Sequence, residues 1–311
     1  MTGDARHAVV LGAGLIGAGW AALFALRGWR TTVIDPAPDA GARVAAMLDR
    51  AAPVLERLGA GRPHAGLTPT VIGAPDASLA DAVLVQEALP EQPALKQRAL
   101  IALEPWIADH TLIASSSSGL LPSQLQAGLR HPQRLLVAHP CNPPWLMPVV
   151  ELVGGRDTDP AVLDRAEALY RALGKRPLRL RREVPGHLLN RLQVALWREA
   201  VHLVAQGYAS VADVDAAVTD GLGARWACCG PHRIFHLAGA EQGIAGFLNN
   251  LGDAVEDWWR DLGAPTLDAA TREALIDGMD QAVAAQPVAL LAEQRDERMV
   301  RVLEALRTLS E

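Results

Sequence analysis

Between Ser115 and Glu151 the chain carries a hydroxyl donor, an imidazole and a carboxylate in one stretch. Four serines, Ser115 to Ser118, come first. An apolar run from Leu135 then ends in His139, followed by Pro140-Cys141-Asn142-Pro143-Pro144, and Glu151 lies inside a second apolar run, Val149 to Val153. Burying a glutamate among valines and leucines is costly unless it is paired, and His139 is the natural partner. A carboxylate on one ring nitrogen orients the imidazole, stabilises its cationic form and tunes it as a general base near neutral pH. The alternative is a structural histidine hydrogen-bonded in the core. The end of a strand is where doubly wound sheets place their sites, and three prolines fix the backbone that follows; both favour catalysis. Any of Ser115 to Ser118 can supply the hydroxyl, because the run is degenerate.

A second constellation supplies a hydride acceptor. Gly12-Ala13-Gly14-Leu15-Ile16-Gly17 follows an apolar strand and opens a helix. Gly12 permits the turn, Gly14 lets the backbone approach a pyrophosphate, and Gly17 lets the helix pack against the strand. The free N–H groups of the first turn, at Leu15 and Ile16, are left to hold phosphates. Asp35 stands about 20 residues on, where an acid accepts bonds from the adenosine ribose and repels a 2′-phosphate. The cofactor expected is NAD rather than NADP.

The elements that must position these residues alternate. Strands are predicted at 7–11, 30–34, 82–86, 111–114, 134–139, 149–153 and 176–180. Helices are predicted from the glycine turn to 27 and at 40–58, 93–106, 122–126 and 160–173, with 59–69 as loop. This is an α/β, Rossmann-type, doubly wound and mostly parallel sheet. After Arg181-Arg182-Glu183-Val184 the pattern turns helical: a long helix at 187–206, a helix start capped by Ser210 and Asp213, and helices at 272–285 and 288–309. The boundary is therefore placed at 184, giving an NAD-binding domain (1–184) and an all-α substrate and dimerisation domain (185–311).

A length of 311 residues suits two domains. The net charge of −6 and the lack of a Lys/Arg cluster give no footprint for nucleic acid. Ala8 to Leu26 carries no charge, but its glycines argue against a membrane span. Cys141, Cys228 and Cys229 form neither a disulfide framework nor a metal-ligand spacing, so no metal is expected and a reducing cytoplasm fits. Lys96 and Lys175 are the only lysines.

Gly12–Gly17, the serine run, His139-Pro140-x-Asn142-Pro143, Glu151 and Pro185-Gly186-x-x-x-Asn190-Arg191 together resemble the 3-hydroxyacyl-CoA dehydrogenase family over nearly the whole chain. The serine run with its Gly-Leu-Leu-Pro-Ser continuation and the Ala-His-Pro-x-Asn-Pro-Pro segment look most like the L-gulonate 3-dehydrogenase (lambda-crystallin) branch, with carnitine dehydrogenase next. The resemblance implies His139 as catalytic base, Glu151 as its partner, and Ser118 and Asn190 as holders of the substrate oxygen. It also implies Glu91, Lys96 and Asn142 as cofactor contacts, and a homodimer. Plainer readings are a charged surface pair for Glu91 and Lys96, and a helix cap or bridge for Asn190.

The segment Ala37 to Gly73 has no lysine and only scattered arginines, fewer cations than a CoA phosphate tail expects. The expected reaction is thus NAD-dependent oxidation of a small L-3-hydroxy acid to the 3-keto acid, L-gulonate foremost. L-carnitine and a 3-hydroxyacyl-CoA are the other substrates, and an NAD(H)-binding crystallin-like protein is the non-enzymatic reading. Gly221-Leu222-Gly223-Ala224-Arg225-Trp226 resembles the branch acting on free carboxylates. Arg225 there is either a bidentate clamp or a surface arginine. Trp145, Trp197 and Trp226 are either a cage for a trimethylammonium group or core.

Overall fold

The computed structural model describes residues 6–59 and 68–308. Its contacts divide the chain into two compact units, Met1–Arg191 and Leu192–Glu311.

The first unit is built on eight strands: β1 (His7–Leu11), β2 (Arg30–Ile34), β3 (Thr70–Ile72), β4 (Leu84–Glu87), β5 (Leu112–Ser115), β6 (Leu135–Pro140), β7 (Val149–Gly154) and β8 (Arg176–Arg179). They lie in the order β3-β2-β1-β4-β5-β6-β7-β8. All pairings are parallel except β6 with β7. Helices α1 (Leu15–Leu26), α2 (Ala40–Arg57), α3 (Pro93–Leu103), α4 (Pro122–Leu125) and α5 (Pro160–Ala172) connect them. The central strands read as continuous apolar runs because helices cover both faces; every residue of β1 is buried. Trp20 and Phe24 of α1 stack with ring centroids 5.6 Å apart, as do Phe24 and Trp29, so α1 is apolar nearly all round and buried from Gly17 to Leu26.

Three differences from expectation have physical reasons. The three-residue β3 is too short to carry a periodicity signal; most of the loop expected before it falls outside the described residues. Helix α3 ends at Leu103 and passes into a 3-10 turn, Glu104–Trp106, because Pro105 cannot donate to the helix ladder. The long helix expected from 187 starts at Leu189, because His187 takes a positive φ; the turn from Gly186 to Asn190 is instead hydrogen-bonded to Glu151, Ser117 and Ser118.

Helix α6 (Leu189–Ala205) begins within the first unit. The second unit is helical: α7 (Val211–Ala216), a π-helical stretch over Ala217–Gly223, α8 (Ala224–Cys228), α9 (Pro231–Ala238), α10 (Gly243–Asp261), α11 (Ala269–Val283) and α12 (Val288–Thr308). Ser210 and Asp213 form the expected capping box on α7. Helix α11 stops at Val283, where Ala284 and Ala285 take positive φ. The expected end of α12 at Leu309 lies outside the described residues. Large apolar side chains stand exposed here, among them Trp258 (64%) and Trp259 (67%).

Candidate active site

His139 and Glu151 occupy directly opposed positions of the antiparallel β6–β7 pair. The His139 Nδ1 lies 2.7 Å from Glu151 Oε2, with His139 5% and Glu151 0% exposed. A buried carboxylate accepts only, so Nδ1 carries the hydrogen and Nε2 presents the lone pair. The second carboxylate oxygen, Oε1, accepts from the backbone N–H groups of Leu188 (2.6 Å) and Leu189 (3.0 Å) at the start of α6. Burial pushes the Glu151 pKa up, but the bonds from His139, Leu189 and Leu188 outweigh it and hold the carboxyl below its ordinary value. The pair is an imidazole with one nitrogen free and a permanent counter-charge behind it, an arrangement suited to accepting a hydroxyl proton.

The four serines have four different environments. Ser115, fully buried, donates to Glu87 Oε2. Ser116 Oγ accepts from Gln86 Nε2 (2.8 Å) and Trp20 Nε1 (3.2 Å), and Tyr170 on α5 donates in turn to Gln86 Oε1. Ser117 donates to Glu91 Oε1. Ser118 remains as the exposed hydroxyl of the run. Its carbonyl accepts from Asn190 Nδ2 at 3.3 Å.

Lys96 is 1% exposed, which removes the surface-pair reading. It donates to Glu87 Oε1 (2.8 Å) and Leu89 O (2.9 Å), with Glu91 Oε2 at 3.4 Å. Burial raises the Glu91 pKa, yet the bonds from Ser117 and Gly119, the charge of Lys96 and the bond from Leu120 bring it below the ordinary value. Glu91 and Lys96 therefore brace the serine loop. Both also line a cavity of about 210 Å³ with Ile16, Ser116 and Ser118.

At the glycine turn the three glycines differ in kind. Gly12 has φ +101°, and a Cβ there would meet Ala88 O at 2.9 Å; one on Gly17 would meet Gly12 O at 1.9 Å. Those two are demanded by the fold. A Cβ on Gly14 meets nothing within 4 Å, so the space over the first turn of α1 is open to a phosphate group and the residues fit a dinucleotide. Asp35, at the end of β2, accepts from Ala13 N (2.7 Å) and Ala37 N (2.9 Å), with Arg43 at 3.7 Å. Asn142 is exposed on the β6–β7 connection. That connection is held by Lys175, which donates to Pro144 O and Met147 O and lies over the Trp20 ring. Arg225 and Trp226 lie exposed on α8 in the second unit. Trp145 is 2% exposed and belongs to the core, so it forms no wall of a cage, whereas Trp197 (51%) and Trp226 (39%) are exposed.

Sequence reasoning missed Glu87, Gln86, Tyr170, Lys175 and His187. Glu87 carried a usable signal, a carboxylate ending an apolar strand nine residues before one of only two lysines. Among the described residues no group of His, Cys, Asp and Glu is placed to hold a metal, and no helix is long and apolar enough to cross a membrane.

Residues 7–184 match the NAD binding domain of 3-hydroxyacyl-CoA dehydrogenase, and residues 186–267 match its C-terminal domain. The chain belongs to the 3-hydroxyacyl-CoA dehydrogenase family. It is an NAD-dependent dehydrogenase of that family. It is 43% identical over 302 residues to an L-carnitine dehydrogenase of Streptomyces griseus, covering 97% of this chain and 90% of the relative. It is 37% identical to one of Bacillus cereus, covering 97% and 92%. Among solved structures, the NAD+-dependent dismutase 5-formyl-3-hydroxy-2-methylpyridine 4-carboxylic acid 5-dehydrogenase superposes with a TM-score of 0.83 at 28% identity, covering 97% of this chain and 99% of that one.

Proposed function

We propose that this dehydrogenase oxidises the 3-hydroxyl of L-carnitine to the 3-ketone. The observation that carries the reading is the 37–43% identity, over nearly the full chain, to relatives named L-carnitine dehydrogenase, joined to the intact His139–Glu151 pair. L-gulonate, foremost on sequence, takes second place because the similar relatives bear the carnitine name.

His139 Nε2 takes the hydroxyl proton, and Glu151 stabilises the imidazolium that results. Ser118 and Asn190 hold the alcohol oxygen and, in reverse, polarise the ketone. Ser118 is supported in this role by its exposure, since the neighbouring serines are engaged with Glu87, Gln86, Trp20 and Glu91. NAD+, when bound, supplies the hydride acceptor. Gly14, Leu15 and Ile16 hold its phosphates, Asp35 its adenosine ribose, and Glu91, Lys96 and Asn142 its nicotinamide half. Trp197 and Trp226 suit a quaternary ammonium by cation–π attraction, and Arg225 suits a carboxylate. The exposed apolar side chains of the second unit support a homodimer through that unit, the three free cysteines suit the cytoplasm, and family matches over 7–184 and 186–267 support a helical domain starting at residue 185.

The test is NADH formation with L-carnitine, L-gulonate, L-3-hydroxybutyrate and its CoA thioester. L-Carnitine is expected to lead in kcat/KM by at least about tenfold, or ~1.4 kcal/mol of transition-state binding. A lead for L-gulonate or for the thioester overturns the substrate. NADH binding without turnover of any of them returns the crystallin-like reading.

A further inference from the structure

His187 was not expected to matter, and its geometry is unusual on three counts. It is fully buried. Its φ is +51°, directly after Gly186 at +77°, a region that non-glycine residues rarely occupy and that clusters at functional sites. Its Nδ1 is buried without a hydrogen-bond partner. A phenylalanine would fill the space without stranding a polar atom, so the histidine calls for an explanation.

The explanation lies in what the other atoms of the residue reach. Nε2 is 3.1 Å from Ser117 O. A carbonyl only accepts, so Nε2 carries the hydrogen and Nδ1 is a lone pair. The ring lies 5.2 Å from the His139 ring, centroid to centroid, tilted by 47°. The left-handed backbone turns the next two N–H groups, of Leu188 and Leu189, onto Glu151 Oε1. Three residues on, Asn190 Nδ2 donates to Ser118 O. One short turn thus grips the peptides on both sides of Ser118 and the carboxylate behind His139.

We infer that His187 is a positioning residue, whose Nε2–H bond to Ser117 O and left-handed backbone together lock the serine loop to the His139–Glu151 pair. It acts as a neutral ring. The groups facing it are Ser117 O after β5, His139 on β6, Glu151 on β7 and Glu91 before α3. Burial lowers its pKa most; Ser117 O raises it, the His139 charge lowers it, and Glu151 and Glu91 raise it, for a net lowering. A proton on Nδ1 would find no acceptor. The inference rests on His139 being the base.

Two substitutions separate the lock from simple packing. His187→Gln keeps a donor that reaches Ser117 O but loses the ring; His187→Phe keeps the ring and loses the donor. With the best substrate of the screen, H187F is expected to lose about tenfold or more in kcat, with KM for NAD+ and NADH affinity within about twofold of wild type. H187Q is expected to retain most of kcat. The reverse order, Phe active and Gln impaired, means a packing role and overturns the inference. Should H187F fail to fold, H187Q decides alone: kcat near wild type supports the lock, and a tenfold loss refutes it. Loss of the base is distinguishable, since His139→Ala abolishes turnover whatever stands at 187.

Discussion

His139 and Glu151 are cross-strand partners in the antiparallel pairing of an otherwise parallel sheet. Directly opposed residues of such a pair carry their side chains on the same face within about 5 Å, so the strand register itself brings imidazole and carboxylate together. Parallel neighbours are joined by slanted, evenly spaced bonds and need long crossovers; here eight residues suffice to connect the end of β6 to the start of β7.

Glu151→Gln is expected to lower kcat by roughly 10²-fold while NADH still binds, because the imidazolium loses its counter-charge. It also changes acid stability. The folded carboxyl titrates below its unfolded value of 4.5, so its contribution is complete above 4.5 and fades as pH falls through the folded value. Urea unfolding from pH 6 to pH 3, the range set by about 1.5 units either side of the carboxylate value, should give a flatter curve for the variant. Parallel curves would contradict the assignment.

Ser118→Ala and Ser115→Ala should fail differently. The first is expected to cut kcat with the melting temperature unchanged. The second leaves one oxygen of buried Glu87 without its serine and should cost ~1–3 kcal/mol of stability. Thermal unfolding beside steady-state kinetics on both proteins checks this, and equal melting temperatures would count against the division of labour.

Asp35→Ser should weaken NAD+ binding by about tenfold, or ~1.4 kcal/mol, and confer turnover with NADP+. The acid is removed and Arg43, 3.7 Å away, becomes available to a 2′-phosphate. The ratio of kcat/KM for the two cofactors is the readout; an unchanged ratio removes Asp35 from cofactor choice.

Lys175 makes stability rise with pH. Burial chiefly, then the charge of Arg27, lowers its pKa from 10.5 to about 7. Between those values the unfolded chain holds a proton that the folded chain releases, so folding gains up to about 1.4 kcal/mol per pH unit above 7. Lys175→Met lacks that gain. Denaturant unfolding of both proteins at neutral and mildly alkaline pH should show their difference widening in favour of wild type; a constant difference would falsify the charge argument.

The sheet, the glycine turn and the His139–Glu151 pair were legible because each depends on local pattern: apolar runs, glycine spacing, a lone acid among valines. Ser118 differs from its neighbours only in space, since four identical residues are told apart by what Glu87, Gln86, Trp20 and Glu91 do to the other three. His187 and Lys175 were missed for a related reason. Their roles are bonds to backbone carbonyls 70, 31 and 28 positions away, and a carbonyl leaves no trace in side-chain identity. The three-residue β3 is below any periodicity, and the end of α3 is set by a single residue, Pro105, inside an otherwise helical pattern.

The chain of bonds from Tyr170 through Gln86 to Ser116 and Trp20 widens the set of positions at which this enzyme can be tuned. Tyr170 sits on α5, fully buried, two hydrogen bonds from the serine loop. A library of random variants scored for turnover should therefore return hits at Tyr170 and Gln86 as well as among residues lining the cavity. Tyr170→Phe, which erases one oxygen and keeps the ring against Trp20, is the smallest edit by which a helix can retune the loop from behind.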